Sequence, residues 1–307
     1  MKDKFRTRRL SSRAIAITSG LMAVFLFGAS FVAIKIALQQ VEPLVLIPIR
    51  FGFGLILLWP LLVLRGQAFQ PNRAELVQTA ILGGLAILLN QWLQAGAMLR
   101  AGATTASWLS ALAPAFMALL AWIFLRERIV SWQWFGILLA LGGALLVSEA
   151  DPASTFLQGS WVAPSLLILS ALAWAVFSIF GKAEALRTSP LRAAVMSMSW
   201  ALVFSLGLNL FLRSSWNVLE WGGESWAALL FLGIACTGLA YALYFYALAG
   251  AQSALVAALQ YLEPLITILL AYIFLQEVLR PVGLVGGLLI VLGIVLVEQT
   301  GESKPTE

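Results

Sequence analysis

Apolar runs of membrane-spanning length follow one another along almost the whole chain, separated by short polar stretches. Ten can be drawn, at 15–38, 44–64, 76–98, 102–125, 132–148, 162–182, 191–212, 226–248, 253–275 and 281–298. A bilayer core is crossed by roughly 20 apolar residues in helix. Hydrocarbon offers no partner to an unpaired backbone group, so each run is predicted to be α-helical. The predicted fold class is an all-α membrane protein with no soluble domain; 149–161 and 213–225 are only the longer loops. The first run is too long for a signal peptide and no small-residue cleavage site follows it, so the N-terminus is expected to be retained.

The runs fall into two matching sets. Leu82 to Val147 aligns without a gap on Leu232 to Val297, at an offset of 150 residues, with Gly83 on Gly233, Pro114 on Pro264, Glu127 on Glu277 and Gly143 on Gly293. The earlier part of each half matches at an offset of 147, with Lys35 on Lys182 and Pro43 on Pro190. Five crossings per half is an odd number, so the two copies are predicted to face opposite ways across the membrane. Many secondary transporters build one site from inverted repeats and reach it from either side. The expected organisation is a basic segment at 1–14, a five-helix repeat at 15–148, a periplasmic linker at 149–161, a second five-helix repeat at 162–298 and a tail at 299–307.

Composition narrows the class. The chain is 61% hydrophobic and 11% charged, with a mean hydropathy of +0.94. Lys2, Lys4, Arg6, Arg8, Arg9 and Arg13 precede the first run and, by the positive-inside rule, hold both termini of a ten-span chain in the cytoplasm. Only Arg100, Arg213 and Arg280 then fall in outside loops. The basic pI of about 9.7 is accounted for by scattered loop residues that meet anionic lipid, and no nucleic-acid partner is expected. There is no histidine, and Cys236 is the single cysteine. Thiolate or imidazole metal sites, Cys–His nucleophiles and Ser–His–Asp triads are therefore excluded. Without a Walker A sequence the chain does not itself hydrolyse ATP. No metal, cofactor or enzymatic activity is expected, and movement down or against a gradient remains.

Two segment pairs carry a family resemblance. "FGASFVAIK" in the first span stands over "WAVFSIFGK" in the sixth, and "LAPAFMALLAWIFLRE" over "LEPLITILLAYIFLQE". With the five-plus-five repeat, the chain resembles the drug/metabolite transporter superfamily and, within it, the bacterial EamA-type exporters, from about Ile17 to Val297. The resemblance implies that spans one, three, four, six, eight and nine surround a central cavity while five and ten pack at the ends. The glycines Gly136, Gly142, Gly143, Gly283, Gly286, Gly287 and Gly293 suit such packing. The smallest members of the superfamily carry an essential carboxylate in span one, which this chain lacks. Its phosphate-carrying members use buried basic residues, and here Lys35 and Arg50 are placed too near the outer surface for that.

Side chains of the expected cavity helices point to binding chemistry. Asn90, Gln91 and Gln94 share one face of span three, and their repeat partners in span eight are Ala240, Tyr241 and Tyr244. Ser30 and Phe31 lie in span one, Ser107, Trp108 and Ser110 in span four, and Trp174 and Phe177 in span six. Taken singly, the amides read as interhelical hydrogen-bonding groups and the aromatics as lipid anchors; taken as a set they are expected to line a cavity, because polar groups facing hydrocarbon are costly. The aromatics Trp92, Trp108, Trp174, Tyr241 and Tyr244 would hold an apolar body, and Gln91, Gln94, Gln260 and Glu263 its polar end.

Glu263, just before Pro264, is the sharpest single position. Ionised near the bilayer centre it costs ~2.5–3.5 kcal/mol, so it needs a partner, water or a proton. It is read as a substrate-amine ligand or a proton-coupling group, with a helix-organising role as the structural alternative. Pro114 and Pro264 should bend or unwind their spans, as static kinks or as hinges. Lys35 and Lys182 are expected to snorkel to the interface, and Glu127 and Glu277 to pair with Arg126, Arg128 or Arg280. The resulting expectation is an inner-membrane exporter of a small organic metabolite, an amino acid or a hydrophobic amine-bearing compound, working as a single chain by alternating access. Multidrug efflux is the alternative within the class. An intramembrane enzyme lacks a nucleophile–base pair here, and a sensor needs no polar cavity.

Overall fold

The computed structural model describes residues 2–67, 71–125, 131–150, 161–214, 216–251, 253–278 and 280–299. Among these residues there is no strand, and helix follows helix. The first half comprises α1 (Lys2–Ala37), α2 (Pro43–Leu64), α3 (Arg73–Ile81), α4 (Leu89–Met98), α5 (Ala103–Ser110), α6 (Ala113–Leu125) and α7 (Ser131–Ala150). The second half comprises α8 (Val162–Arg187), α9 (Pro190–Leu212), α10 (Gly223–Leu230), α11 (Ala240–Gly250), α12 (Ser253–Leu259), α13 (Leu262–Leu275) and α14 (Pro281–Gln299). π-helical turns at Leu82–Leu88 and Phe231–Leu239 join α3 to α4 and α10 to α11 into continuous rods.

Seven helices among the described residues have the length and apolarity to cross a membrane: Ala14–Ala37, Pro43–Leu64, Arg73–Met98, Val162–Arg187, Pro190–Leu212, Gly223–Gly250 and Leu255–Leu275. Trp134–Val147 and Pro281–Leu296 are shorter apolar helices. Large apolar side chains stand exposed on the outer flanks, among them Ile56, Leu138, Leu210, Phe211 and Leu269. Water would not tolerate so much contiguous apolar surface, whereas lipid is its natural solvent.

The expected bends near the two prolines appear as full interruptions. α5 stops at Ser110 and α6 begins at Ala113; α12 stops at Leu259 and α13 begins at Leu262. Pro114 and Pro264 thus sit in the first turn of the second piece, where their missing N–H costs nothing. Tight three-residue bonds carry the chain across each gap, Leu112 N to Leu109 O at 3.2 Å and Gln260 N to Ala257 O at 3.0 Å.

Packing repeats under exchange of the halves. α1 lies against α11 and α13, and α8 against α4 and α6. The α2 helix meets the second π segment, as α9 meets the first, while α2 meets α9 and α7 meets α14. The α7–α14 seam is a glycine contact. A Cβ on Gly143 would fall 2.5 Å from the Gly286 carbonyl oxygen, and one on Gly286 2.7 Å from that of Gly143. Gly142 faces open space, so it takes no part in the seam. Gly287 faces the Trp108 ring.

Polar contacts tie the halves at both ends of the rods. At one end Arg192 pairs with Glu75 at 2.5 Å, Ser189 Oγ donates to Gln67 Oε1 at 2.7 Å, and Arg65 donates to the Tyr246 hydroxyl. At the other, Gln40 Oε1 accepts from Gly222 N at 2.6 Å and Ser225 Oγ at 2.9 Å, and Asn209 donates to Leu44 O at 2.7 Å. Glu277 belongs to this second set. Its carboxylate accepts from Ala103 N at 2.8 Å and Thr104 N at 3.1 Å, capping α5 in the opposite half. Those backbone donors, in place of an arginine, are its partners, and Glu127 lies outside the described residues. Lys35 and Lys182 also differ from the snorkelling expectation. Lys35 Nζ donates to Met98 O at 2.7 Å and Ala101 O at 2.8 Å, holding the carbonyl end of α4. Lys182 Nζ reaches Ala251 O at 3.1 Å, the equivalent place after α11.

Candidate functional site

The helix interruptions and the inward faces of α1, α2, α4, α8 and α11 meet around a cavity of about 40 Å³. That is room for a few waters, so an organic solute enters only if the walls separate. Ten of the side chains singled out from sequence line it: Ser30, Phe31, Asn90, Gln91, Gln94, Ser110, Trp174, Tyr241, Gln260 and Glu263. Phe27, Arg50 and Ala171 line it as well.

Five of the expected residues stand elsewhere. Phe177 and Tyr244 form the layer behind the wall, with Phe177 5.1 Å from the Trp174 ring and Tyr244 5.2 Å from it. Ser107 is buried and donates to Thr104 O at 2.8 Å within its own helix. Trp108 turns toward Gly287 of α14, because the missing side chain there leaves space for an indole. Trp92 is 41% exposed on the outer flank, so the apolar wall is built from Phe27, Trp174 and Tyr241. Phe27 meets the rings of Trp174 and Tyr241 edge-on at 5.3 and 5.5 Å, the geometry aromatic quadrupoles favour.

Two hydrogen-bonded chains organise the polar wall. In one, Asn90 donates to Ser170 O at 2.8 Å and accepts from Gln91 at 3.0 Å; Gln91 also donates to the Tyr241 hydroxyl at 3.0 Å. The Gln91 carbonyl accepts from Arg50 Nη1, and Arg50 Nε donates to Thr237 Oγ1 at 2.9 Å. In the other, Trp174 Nε1 donates to Gln260 Oε1 at 3.3 Å, Gln260 donates to Tyr244 at 2.9 Å, and Tyr244 meets Ser178 at 2.8 Å. Each chain crosses between the halves or between α8, α11 and the α12–α13 break. The amides are thus both interhelical ties and cavity lining.

Arg50 is the residue that sequence reasoning misplaced. It was expected near the outer surface, yet it is 2% exposed and lines the cavity. α2 enters the wall because Gly54, one turn on from Arg50, packs against Gly238 of the π segment, with a built Cβ only 3.0 Å from Gly238 N. A usable signal existed: Arg50 is the only charged residue in Pro43–Leu64, and an intramembrane ionisable residue is a functional candidate by default. Its repeat counterpart at the 147 offset is Ser197, as that of Glu263 at 150 is Ala113. Each charge therefore belongs to one half alone.

The EamA-like transporter family model matches residues 14–149 and 161–299, one stretch per half. The chain belongs to the EamA-like transporter family. It is accordingly a transporter and a multi-pass membrane protein. It is 32% identical to a probable amino-acid metabolite efflux pump of Salmonella typhimurium, over 89% of this chain and 91% of that one. It is 28% identical to a probable terminal-alkyne amino-acid exporter of Streptantibioticus cattleyicolor over 75% of each chain. An uncharacterised transporter of Archaeoglobus fulgidus is 26% identical over 90% of this chain and 94% of its own. A solved crystal structure, 19% identical, shares the fold with a TM-score of 0.69 over 94% of this chain and 99% of that chain. Of the six helices expected around the cavity, four contribute through unbroken rods and two at their interruptions, by Ser110 and by Gln260 and Glu263, and α2 joins them.

Proposed function

We propose that this EamA-family protein exports a small organic solute, an amino acid or a hydrophobic amine-bearing compound, across the bacterial inner membrane by alternating access. In this reading ten segments cross the bilayer, both termini are cytoplasmic, and one chain is the working unit. The observation that carries the proposal is the cavity between the halves, lined both by aromatics and by Arg50, Gln91, Gln94, Gln260 and Glu263. Such a mixed wall suits a solute with an apolar body and a charged head. Contacts between the halves at both ends of the rods support alternating access, since loosening one set opens the cavity toward one side only. The names of the Salmonella and Streptantibioticus relatives agree with an amino-acid-like cargo. Glu263 is the proposed site of proton coupling or of contact with the cargo amine, with Pro114 and Pro264 as hinges.

Counterflow in proteoliposomes with a panel of radiolabelled metabolites tests the proposal. Accumulation of an amino acid or amine against its preloaded unlabelled form is the expected result. Broad uptake of unrelated apolar cations with no amino-acid flux would move the reading to multidrug efflux. No flux of any solute would remove transport of this class.

A further inference from the structure

A guanidinium sealed inside a membrane protein needs an anion, and Arg50 has none among the described residues. The ion pairs described are Arg187 with Glu184 and Arg192 with Glu75. Arg50 instead donates to two neutral oxygens, those of Thr237 and Gln91. A guanidinium carries five N–H donors, so the two bonds leave three without a described partner, both on Nη2 among them, on a side chain that is 2% exposed and lines the cavity. Burying a cation without a counter-charge is strongly unfavourable. The neutral neighbours do hold the group in a fixed plane: Gln91 is itself tied to Asn90 and Tyr241, and Asn90 to Ser170. A planar fork held in place on the wall of a cavity suits bidentate carboxylate recognition.

The same cavity holds one carboxylate of its own. Glu263 lines it from the start of α13, and no described donor reaches its side-chain oxygens. It does not pair with Arg50, so the two lie farther apart than the 4.0 Å of an ion pair. A cation and an anion facing one space without touching leave a gap with two opposite poles. A simple amine there would satisfy Glu263 and add a second positive charge beside Arg50. A simple carboxylate would satisfy Arg50 and repel Glu263. A molecule carrying both groups satisfies both and adds no net charge.

We infer that Arg50 and Glu263 are the two poles of a zwitterion site: Arg50 takes the carboxylate and Glu263 the ammonium of an amino acid whose apolar side chain lies against Phe27, Trp174 and Tyr241. This rests on the transport reading above and deepens it by naming which part of the cargo each pole reads. Because α2 belongs to the first half and α13 to the second, the bound zwitterion bridges the halves. Hydrogen bonds to charged groups contribute enough that removing one pole of the ligand lowers affinity about ten- to hundredfold.

The test uses full-length protein in proteoliposomes and three probes: phenylalanine, phenethylamine, which lacks the carboxylate, and 3-phenylpropionate, which lacks the amine. Each competes against counterflow of the labelled solute that the panel finds transported. The wild type should prefer phenylalanine to each of the others by about ten- to hundredfold. Arg50→Gln should erase the preference over phenethylamine and keep that over phenylpropionate; Glu263→Gln should do the reverse. Arg50→Lys, which keeps the charge and loses the fork, should keep the order with weaker binding. If Arg50→Gln cannot be purified, the wild-type order of the three probes still decides. Equal competition by phenethylamine and phenylalanine in the wild type overturns the Arg50 pole. A Glu263→Gln protein that loses proton-driven flux but keeps wild-type probe selectivity overturns the Glu263 pole. Those results leave transport standing; absence of counterflow for every solute defeats the transport reading instead.

Discussion

Gly142 and Gly143 are neighbours in one helix, yet the same substitution should act on them differently. At Gly142 a Cβ meets nothing within 4 Å. Alanine there replaces the poorer helix former at no steric cost, a gain of about 0.8–1.0 kcal/mol. At Gly143 the Cβ would lie 2.5 Å from the Gly286 carbonyl oxygen and 2.8 Å from Ile290 N. Ordinary contact is about 3.5–4.0 Å, and both obstacles are backbone, so α14 as a whole must retreat. Overpacking of this kind costs about 1–3 kcal/mol; the propensity gain is common to both positions, so the two variants lie about 1–3 kcal/mol apart. The assay is built into the chain: Cys236, the single cysteine, is fully buried, so a thiol-reactive dye in detergent reports the melt. At about 2–4 °C per kcal/mol, Gly142→Ala should melt at or above the wild type and Gly143→Ala several degrees below Gly142→Ala. Equal melting points for the two variants would refute the seam as the reason for these glycines.

Glu277→Ala should lower stability by about 1–2 kcal/mol and speed hydrogen exchange at the Ala103 and Thr104 amides, with Glu277→Gln between the two; unchanged exchange would show that the cap is dispensable. Trp174→Ala should weaken cargo binding by up to about a hundredfold, while Trp132→Ala, at an exposed position beginning α7, should leave it unchanged; equal, negligible effects would return Trp174 to packing. In intact cells of a Cys236→Ala background, single cysteines in 149–161 and 213–225 should label from outside and those in 66–74 and 126–131 should not. Labelling at 66–74 would defeat the inverted arrangement.

Features repeated in both halves were the legible ones. Register between the halves, apolar run length and the paired prolines all act through backbone rules that a single sequence displays. The amide face of span three was legible because four-residue spacing places Asn90 and Gln94 on one side of a helix. What escaped depended on the neighbour across the gap. Trp108 stands on a cavity helix by spacing, but the opening at Gly287 draws it outward. Lys35 ends its span like any interfacial lysine, and only the carbonyl ends of Met98 and Ala101 beside it reveal a cap. Arg50 lies close to the start of its apolar run, which suggests the surface; the close approach of Gly54 to Gly238 brings that part of α2 inward. No pattern in the chain announced the π turns at Leu82–Leu88 and Phe231–Leu239.

The exchange of first helices between the halves has a consequence for how the protein is made. α1 leaves the ribosome before α8, but its principal neighbours, α11 and α13, come late in the second half. During synthesis α1 therefore waits in the bilayer with the face that bears Ser30 uncovered, and α4 waits likewise for α8. Both faces are sealed only when the second repeat arrives. A first half expressed alone should insert without maturing, held as a client of membrane chaperones. Supplying the second half from a separate gene should rescue it, since what joins the repeats is the interleaving of their helices and not the peptide linking them.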